Sequence, residues 1–275
     1  MIHIYDTTHR HSHQVCVPFA QGCGGKIVSA APLRDGDCFF YGAIRGLLPT
    51  LKQAQARGRT FYYADNGYFL PGKKEGNYFR VTKNALQHDG SGELPRPYHM
   101  ARERWARLGL EIKPWRTDGG HVLVCAPARL FAATFGFSAD EWLRLTLKTL
   151  GKYTKRELRV RAKIKFDDGL PYSLVERDGQ LTASGITRFA DDLAGAWALV
   201  THSSNTAVDA LLAGVPVFCT ARCGASAMAS NDLREIERPR TDGDRLHWAR
   251  VLANRQWTLA EMRDGTCWRM LNALP

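Results

Sequence analysis

The chain has 275 residues, of which 44% are apolar and 24% charged. That is enough for a buried core and room for two domains of about 100–200 residues. It excludes a disordered chain, and no run of about 18 apolar residues offers a membrane span. The net charge of +11 points to anionic partners.

Residues 1–10 are polar and lack the apolar stretch of a secretory signal, so a cytoplasmic protein is expected. Seven cysteines, Cys16, Cys23, Cys38, Cys125, Cys219, Cys223 and Cys267, make an odd set that reads as buried free thiols rather than a disulfide framework. Cys219 and Cys223 are four apart, with no second pair at zinc-site spacing.

In chain order, residues 3–5 read as a strand, 21–25 (QGCGG) as a glycine-rich turn, 26–30 as a second strand and 38–44 (CFFYGAI) as a third. Residues 45–57 have helical composition, with Pro49 in the first turns, where it is tolerated. Residues 60–64 (TFYYA) form a fourth strand that ends in Asp65-Asn66-Gly67. The alternation predicts a parallel α/β lobe. Residues 72–115 read as loops and a connection, with one helix around Trp105.

A new strand is expected at 121–126 (HVLVCA). Ser138 reads as a helix N-cap with Glu141 three residues on, a capping box. That helix runs to about residue 150, with Trp142, Leu143, Leu145 and Leu150 facing a core. Arg144, Lys148, Lys152 and Lys155 form one basic stripe. Residues 157–164 (ELRVRAKI) alternate as a strand, with Arg159, Arg161 and Lys163 on one face. From Arg144 to Lys165 nine basic residues stand against Glu157 alone. Such a block suits the phosphates of a nucleotide or a nucleic acid, and a solvated basic face is the alternative. Helix at 188–196, strand at 197–201, helix at 203–213 closed by Gly214 and strand at 215–219 complete a strand–helix–strand unit. Helices at 242–254 and 259–271 follow.

The segment 197–219, WALVTHSSNTAVDALLAGVPVFC, carries the main chemical signal. A buried strand runs into His202, Ser203, Ser204, Asn205 and Thr206, where a helix begins. The first turn of a helix leaves backbone N–H groups unpaired, and small hydroxyl residues let a diphosphate approach them. Asp209 lies one turn further in. The competing reading of the serines is plain helix capping.

This segment resembles the donor-binding strand–turn–helix in the C-terminal lobe of GT-B glycosyltransferases and their capsule-synthesis relatives. The resemblance covers about residues 190–219, is weaker over 122–165, and is only architectural before Asp118. The whole chain also resembles phage and prophage proteins with such a C-terminal half. The resemblance implies an α/β fold of two Rossmann-like lobes facing a cleft. It places an acceptor-side lobe at residues 1–118, a donor-nucleotide lobe at 119–258, and a final helix at 259–275 that packs back on the first lobe. It implies a nucleotide-sugar donor, a UDP-sugar first of all, with no cofactor and no metal. His202, Ser203, Ser204, Asn205, Thr206 and Asp209 would hold the donor. Arg161 and Lys163 would neutralise the leaving diphosphate.

In this fold the base that activates the acceptor hydroxyl comes from the first lobe. Asp65, just past a strand, is the candidate and Asp6 the reserve; an ordinary Asp-Asn-Gly turn is the alternative for Asp65. The acceptor expected is a hydroxymethylated base in phage DNA, in the host cytoplasm. Arg144, Lys148, Lys152 and Lys155 would bind that DNA, and Tyr62, Tyr63, Tyr68, Phe69, Tyr78 and Phe79 would stack on a lifted base. The alternatives are a glycan, protein or small-molecule acceptor, a non-catalytic nucleotide- or nucleic-acid-binding protein, and a sugar-nucleotide epimerase. Gly22, Gly24 and Gly25 offer close backbone approach to a substrate but match neither the dinucleotide nor the P-loop spacing. His9, His11 and His13 would suit a metal in an extended segment, and a polar loop is the simpler reading.

Overall fold

Alternating β-branched and aromatic residues form strands in two six-stranded sheets. The computed structural model describes residues 1–7, 9–44, 46–72, 76–161, 173–177, 180–185 and 188–273. In chain order it runs β1 (Ile2–Asp6), α1 (Arg10–Cys23), β2 (Lys26–Ser29), β3 (Asp37–Tyr41), α2 (Leu48–Ala56), β4 (Phe61–Asn66), β5 (Phe79–Lys83) and α3 (Tyr98–Ala106). Next come β6 (His121–Cys125), α4 (Arg129–Thr134), α5 (Ala139–Tyr153), β7 (Glu157–Arg161), β8 (Ser173–Arg177), β9 (Gln180–Gly185), α6 (Phe189–Leu193), β10 (Ala196–Thr201), α7 (Thr206–Leu212) and β11 (Val217–Cys219). The chain ends in α8 (Arg245–Ala253), β12 (Gln256–Trp257), α9 (Leu259–Arg263) and α10 (Thr266–Ala273).

Two compact units result: Met1–His88 with Gly92–Gly109 and Ala249–Pro275, and Asp89–Ser91 with Leu110–Trp248. The first sheet has the order β12-β5-β4-β3-β1-β2. Its strands β2, β1, β3 and β4 are parallel, β5 is antiparallel to β4, and β12 at the edge is antiparallel to β5. The second has the order β11-β10-β6-β7-β8-β9. There β11, β10, β6 and β7 are parallel, and β8 and β9 are antiparallel. The antiparallel strands carry no separate signal in the sequence reading.

In the first unit Ile2, Ile4, Phe39, Tyr62 and Phe79 pack with Val15 and Phe19 of α1 and with Met262, Cys267 and Leu271 of the C-terminal helices. The Phe19 and Phe39 rings stack at 3.9 Å. Helix α1 is absent from the sequence reading. It contains Pro18 in its interior, and the expected turn at 21–25 is its last turn. Gly22 is there for packing: a Cβ would stand 1.9 Å from the Met262 carbonyl oxygen. Gly24 is the left-handed C-cap, at φ 66°. These glycines therefore shape a helix end rather than approach a substrate. His9, His11 and His13 likewise fall at the start of a helix, where His9 is the N-cap and its Nδ1 accepts from the His11 N–H.

The stacking role expected for the aromatics is corrected. Tyr62, Tyr63 and Phe79, on β4 and β5, and Tyr68 and Phe69, in the connection between those strands, are all buried. Only Tyr78 of that set is half-exposed. In the second unit the core joins Val122, Val124, Leu158, Val160, Ala198, Val200 and Phe218. Ser138 does cap α5, its hydroxyl accepting from the Glu141 N–H at 3.2 Å. The Glu141 carboxylate turns to Arg144 instead of completing the box. Leu147 and Leu143 pack on the core, whereas Leu145 is exposed. The expected helix at 259–271 is two helices, broken at Gly265 with φ 80°.

Candidate functional site

Strand order locates the chemistry in each unit. In the second unit the chain moves from β6 outward to β7 and returns to β10 on the other side of β6. The first unit repeats the pattern: β1 leads to β2 on one side and β3 lies on the other. An open parallel sheet binds ligands outside the carboxyl ends of its strands at such a reversal, where the two loops part. The positions to inspect are thus the ends of β6 and β10, and of β1 and β3.

At the first of these, the Thr201 hydroxyl closes β10 onto β6 by donating to the Cys125 carbonyl at 2.9 Å. His202 follows, packed among rings: Phe137 at 4.6 Å, Trp142 at 6.2 Å and Phe131 at 6.4 Å between centroids. Its Nδ1 lies 3.1 Å from Thr220 Oγ1, which also accepts the Trp142 indole N–H at 2.8 Å. Burial holds the His202 imidazole below its ordinary value, so the ring is neutral at pH 7.

Ser203, Ser204, Asn205 and Thr206 are all half-buried and lead into α7. One hydroxyl suffices to cap the turn: Ser204 Oγ accepts from the Thr206 N–H at 3.3 Å. The cap residue Asn205 makes no capping bond with its side chain. Thr206 Oγ1 is buried with no partner. Capping alone thus leaves a buried hydroxyl unused, a costly arrangement unless a ligand or water meets it. Behind the turn, α7 is fixed by buried Ala207, Val208, Ala210 and Leu211. Gly214 ends the unit at φ 78°, and a Cβ there would stand 1.9 Å from the Pro114 carbonyl oxygen.

Asp209 is on the first turn of α7. Its side chain reaches solvent, yet desolvation by the protein around it raises its carboxyl to about 6 from 3.8. The folded state therefore keeps a proton that the unfolded chain has lost between about pH 4 and 6. This favours folding below about pH 4, and the advantage is lost as pH rises through about 6. Asp209→Asn is expected to gain on the wild type in denaturation midpoint between about pH 4 and 7, with no difference at about pH 3.5. A difference that ignores pH would remove this account of the carboxyl.

Of the two expected diphosphate cations, Arg161 ends β7 in register with Cys125 of β6, which is itself in register with Thr201 of β10. The Arg161 guanidinium pairs with the buried carboxylate of Asp192 and lies over the Phe189 ring at 5.7 Å. That pair, with His121 Nε2 at 2.8 Å from the Asp192 carbonyl oxygen, ties β7 and β6 to α6. Lys163 lies outside the described residues. Lys148 and Lys152 on α5, and Lys155 just beyond its end, are exposed, and Arg144 pairs with Glu141 one turn away at 2.6 Å, a surface contact of little energetic weight.

In the first unit, Asp65 is inside β4 rather than beyond it. It accepts from Arg80 at 3.0 Å, and Arg80 is only 5% exposed. Asp65 thus serves as counter-ion to a buried guanidinium. At the β1 end the sequence reading kept Asp6 in reserve and missed its partner. Asp6 is buried, and its Oδ2 lies 2.8 Å from Nδ1 of His13, whose side chain is 63% exposed. A buried carboxylate that orients an exposed imidazole is the arrangement of a positioned general base. Only the known helix start at Arg10 would have revealed it, since α1 brings residue 13 back over the strand end.

Among the described residues no three His, Cys, Asp or Glu side chains group to hold a metal ion. No helix there is long and apolar enough to cross a membrane. No protein-family model and no curated relative matches the sequence. Among the solved structures that share the fold are two from Thermosulfurimonas dismutans. One is KpsC, beta Kdo 2,4 transferase, at TM-score 0.57 and 12% identity over 94% of this chain and 91% of that one. The other is KpsC, beta Kdo 2,7 transferase, at TM-score 0.53 and 12% identity over 98% of both chains. The chain therefore has a mixed α/β fold with parallel sheets, similar to glycosyltransferase structures.

Proposed function

We propose that the chain is a GT-B-type glycosyltransferase that binds a nucleotide-sugar at residues 202–206 and passes its sugar to a hydroxyl acceptor without a metal. The observation that carries this reading is the turn after β10. It lies at the reversal of a parallel sheet, needs one hydroxyl for its own cap, and holds Thr206 Oγ1 buried without a partner. Ser203, Thr206 and backbone N–H groups would meet the diphosphate oxygens. Neutral His202 and Asp209 would contact the sugar or ribose. His13, oriented by Asp6, would take the proton of the acceptor hydroxyl. The likeness to two Kdo transferases over nearly the whole chain supports sugar transfer above epimerisation or plain binding.

Thr206→Val tests the donor site, because it removes the unused hydroxyl and keeps the shape. It is expected to fold at least as well as the wild type while weakening nucleotide-sugar affinity about tenfold or more, the worth of a hydrogen bond to a charged group. Ser203→Ala should act in the same direction. Calorimetric affinity that is unchanged in both variants would remove the donor from this turn. Exposed Lys148, Lys152 and Lys155 keep DNA as one acceptor to test. A steep loss of DNA binding with salt is expected if many phosphates are contacted.

A further inference from the structure

Arginines that leave the surface need acceptors, since a guanidinium stays charged under all ordinary conditions and desolvating it alone is costly. The described residues obey this. Buried Arg80 has Asp65 at 3.0 Å, and Arg104 has Glu261 and the Gln256 carbonyl oxygen. Arg116 has the Leu193 carbonyl oxygen at 3.1 Å, and Arg245 the Leu211 carbonyl oxygen at 2.8 Å with the Trp115 ring at 3.8 Å. Arg250 and Arg255 break the rule. Both are partly buried, and buried Nε of Arg250 and Nη1 of Arg255 find no hydrogen-bond partner.

They lie in one stretch of the first unit, at the end of α8 and the entry to β12. The neighbour between Arg255 and Trp257 adds a third donor. Gln256 is fully buried, and its Oε1 accepts from the Phe69 N–H at 2.9 Å. That bond fixes the amide, and its Nε2 is left buried without an acceptor. Pairing of β12 with β5 sets the stretch beside the end of β4: the Val81 N–H donates to the Arg255 carbonyl at 3.3 Å. Arg80 stands over the Tyr68 ring at 5.5 Å, and burial lowers the Arg255 guanidinium from its ordinary value. The unpartnered groups of this stretch thus include donors on two cations and an amide, beside one acceptor, Asn254 Oδ1, and no carboxylate. A forked guanidinium matches the oxygens of a carboxylate or a phosphate, and a side-chain amide can add a further N–H.

We infer that Arg255, with Arg250 and the side-chain amide of Gln256, forms a binding site for an oxyanion, the carboxylate or phosphate of a substrate. On the sugar-transfer reading this makes the acceptor an acidic or phosphorylated molecule, and only that last step rests on the reading.

The test is binding of inorganic phosphate, glucuronate, glucose 6-phosphate and neutral glucose to the full chain, read by NMR titration and by the rise of the melting temperature with ligand. The anions are expected to bind and glucose not to bind. Arg255→Gln should lower the anion affinity at least tenfold and Arg250→Gln should lower it less, while exposed Arg57→Gln should leave it unchanged. Arg255→Lys, which keeps the charge and the fold but not the fork, should fall in between. Preference for glucuronate over phosphate would select a carboxylate, and the reverse a phosphate. Absent anion binding, or binding that Arg255→Gln and Arg255→Lys leave intact, would overturn the site. Because no sugar donor is present, this outcome is independent of whether the chain transfers a sugar.

Discussion

Replacing His13 by glutamine is expected to lower turnover about 10²–10⁴-fold, the usual weight of a positioned general base. His13 is largely exposed, so the same change should move stability by no more than about 0.5 kcal/mol. Asp6→Asn should follow it in direction. The amide keeps an acceptor oxygen for the imidazole but has no charge to stabilise the imidazolium that forms on proton transfer. Donor affinity should be unchanged in both variants, because the donor is assigned to the turn after β10. Steady-state kinetics with stability measured in parallel would decide it, and full turnover in His13→Gln would end the base role.

The second large effect concerns Asp65 and falls on stability. Asp65→Ala leaves Arg80 buried without its carboxylate. Breaking a buried pair in this way costs about 3–5 kcal/mol, and the partial exposure of Asp65, 34% of its side chain, places the loss near the lower end. Asp65→Ala combined with Arg80→Met should recover part of that loss, since both charges are then gone. Per folded molecule, turnover should be close to wild type. Chemical denaturation followed by assay of the surviving native fraction separates the two roles. Loss of turnover at unchanged stability would return Asp65 to the catalytic position that its place at a strand end suggested.

What the sequence made legible is local. The strand at 121–126, the cap at Ser138 and the strand–helix–strand around Gly214 could be read from alternation, a capping hydroxyl and a terminal glycine. Each of those signals lies within a few residues of the feature that it specifies. Helix α1 was hidden because Pro18 and Gly22 both disfavour a helix interior, and tertiary packing on Phe39 and Met262 overrides them. With α1 hidden, the Asp6–His13 pair was hidden too, although Asp6 itself stood at a visible strand end.

The basic residues show the same limit. Arg161 lies 31 positions from Asp192, and only the folded sheet brings them together. Nothing in residue type separates Arg161, which has a buried carboxylate, from Arg255, which has none. Charge counting therefore found the excess of cations but not which of them a ligand must satisfy. Strand order, which places both candidate sites at sheet reversals, depends on pairing between distant segments and leaves no local signature.

The measurement that bears most directly on the account is release of nucleoside phosphate from a panel of UDP-, GDP-, CDP- and dTDP-sugars and an activated Kdo. Each would be mixed with the protein alone, with acidic and neutral sugar acceptors, and with DNA carrying 5-hydroxymethylated pyrimidines. The account predicts release from at least one donor that rises with an acceptor, and that falls in Thr206→Val and in His13→Gln. No release from any donor, with or without acceptor, would contradict sugar transfer.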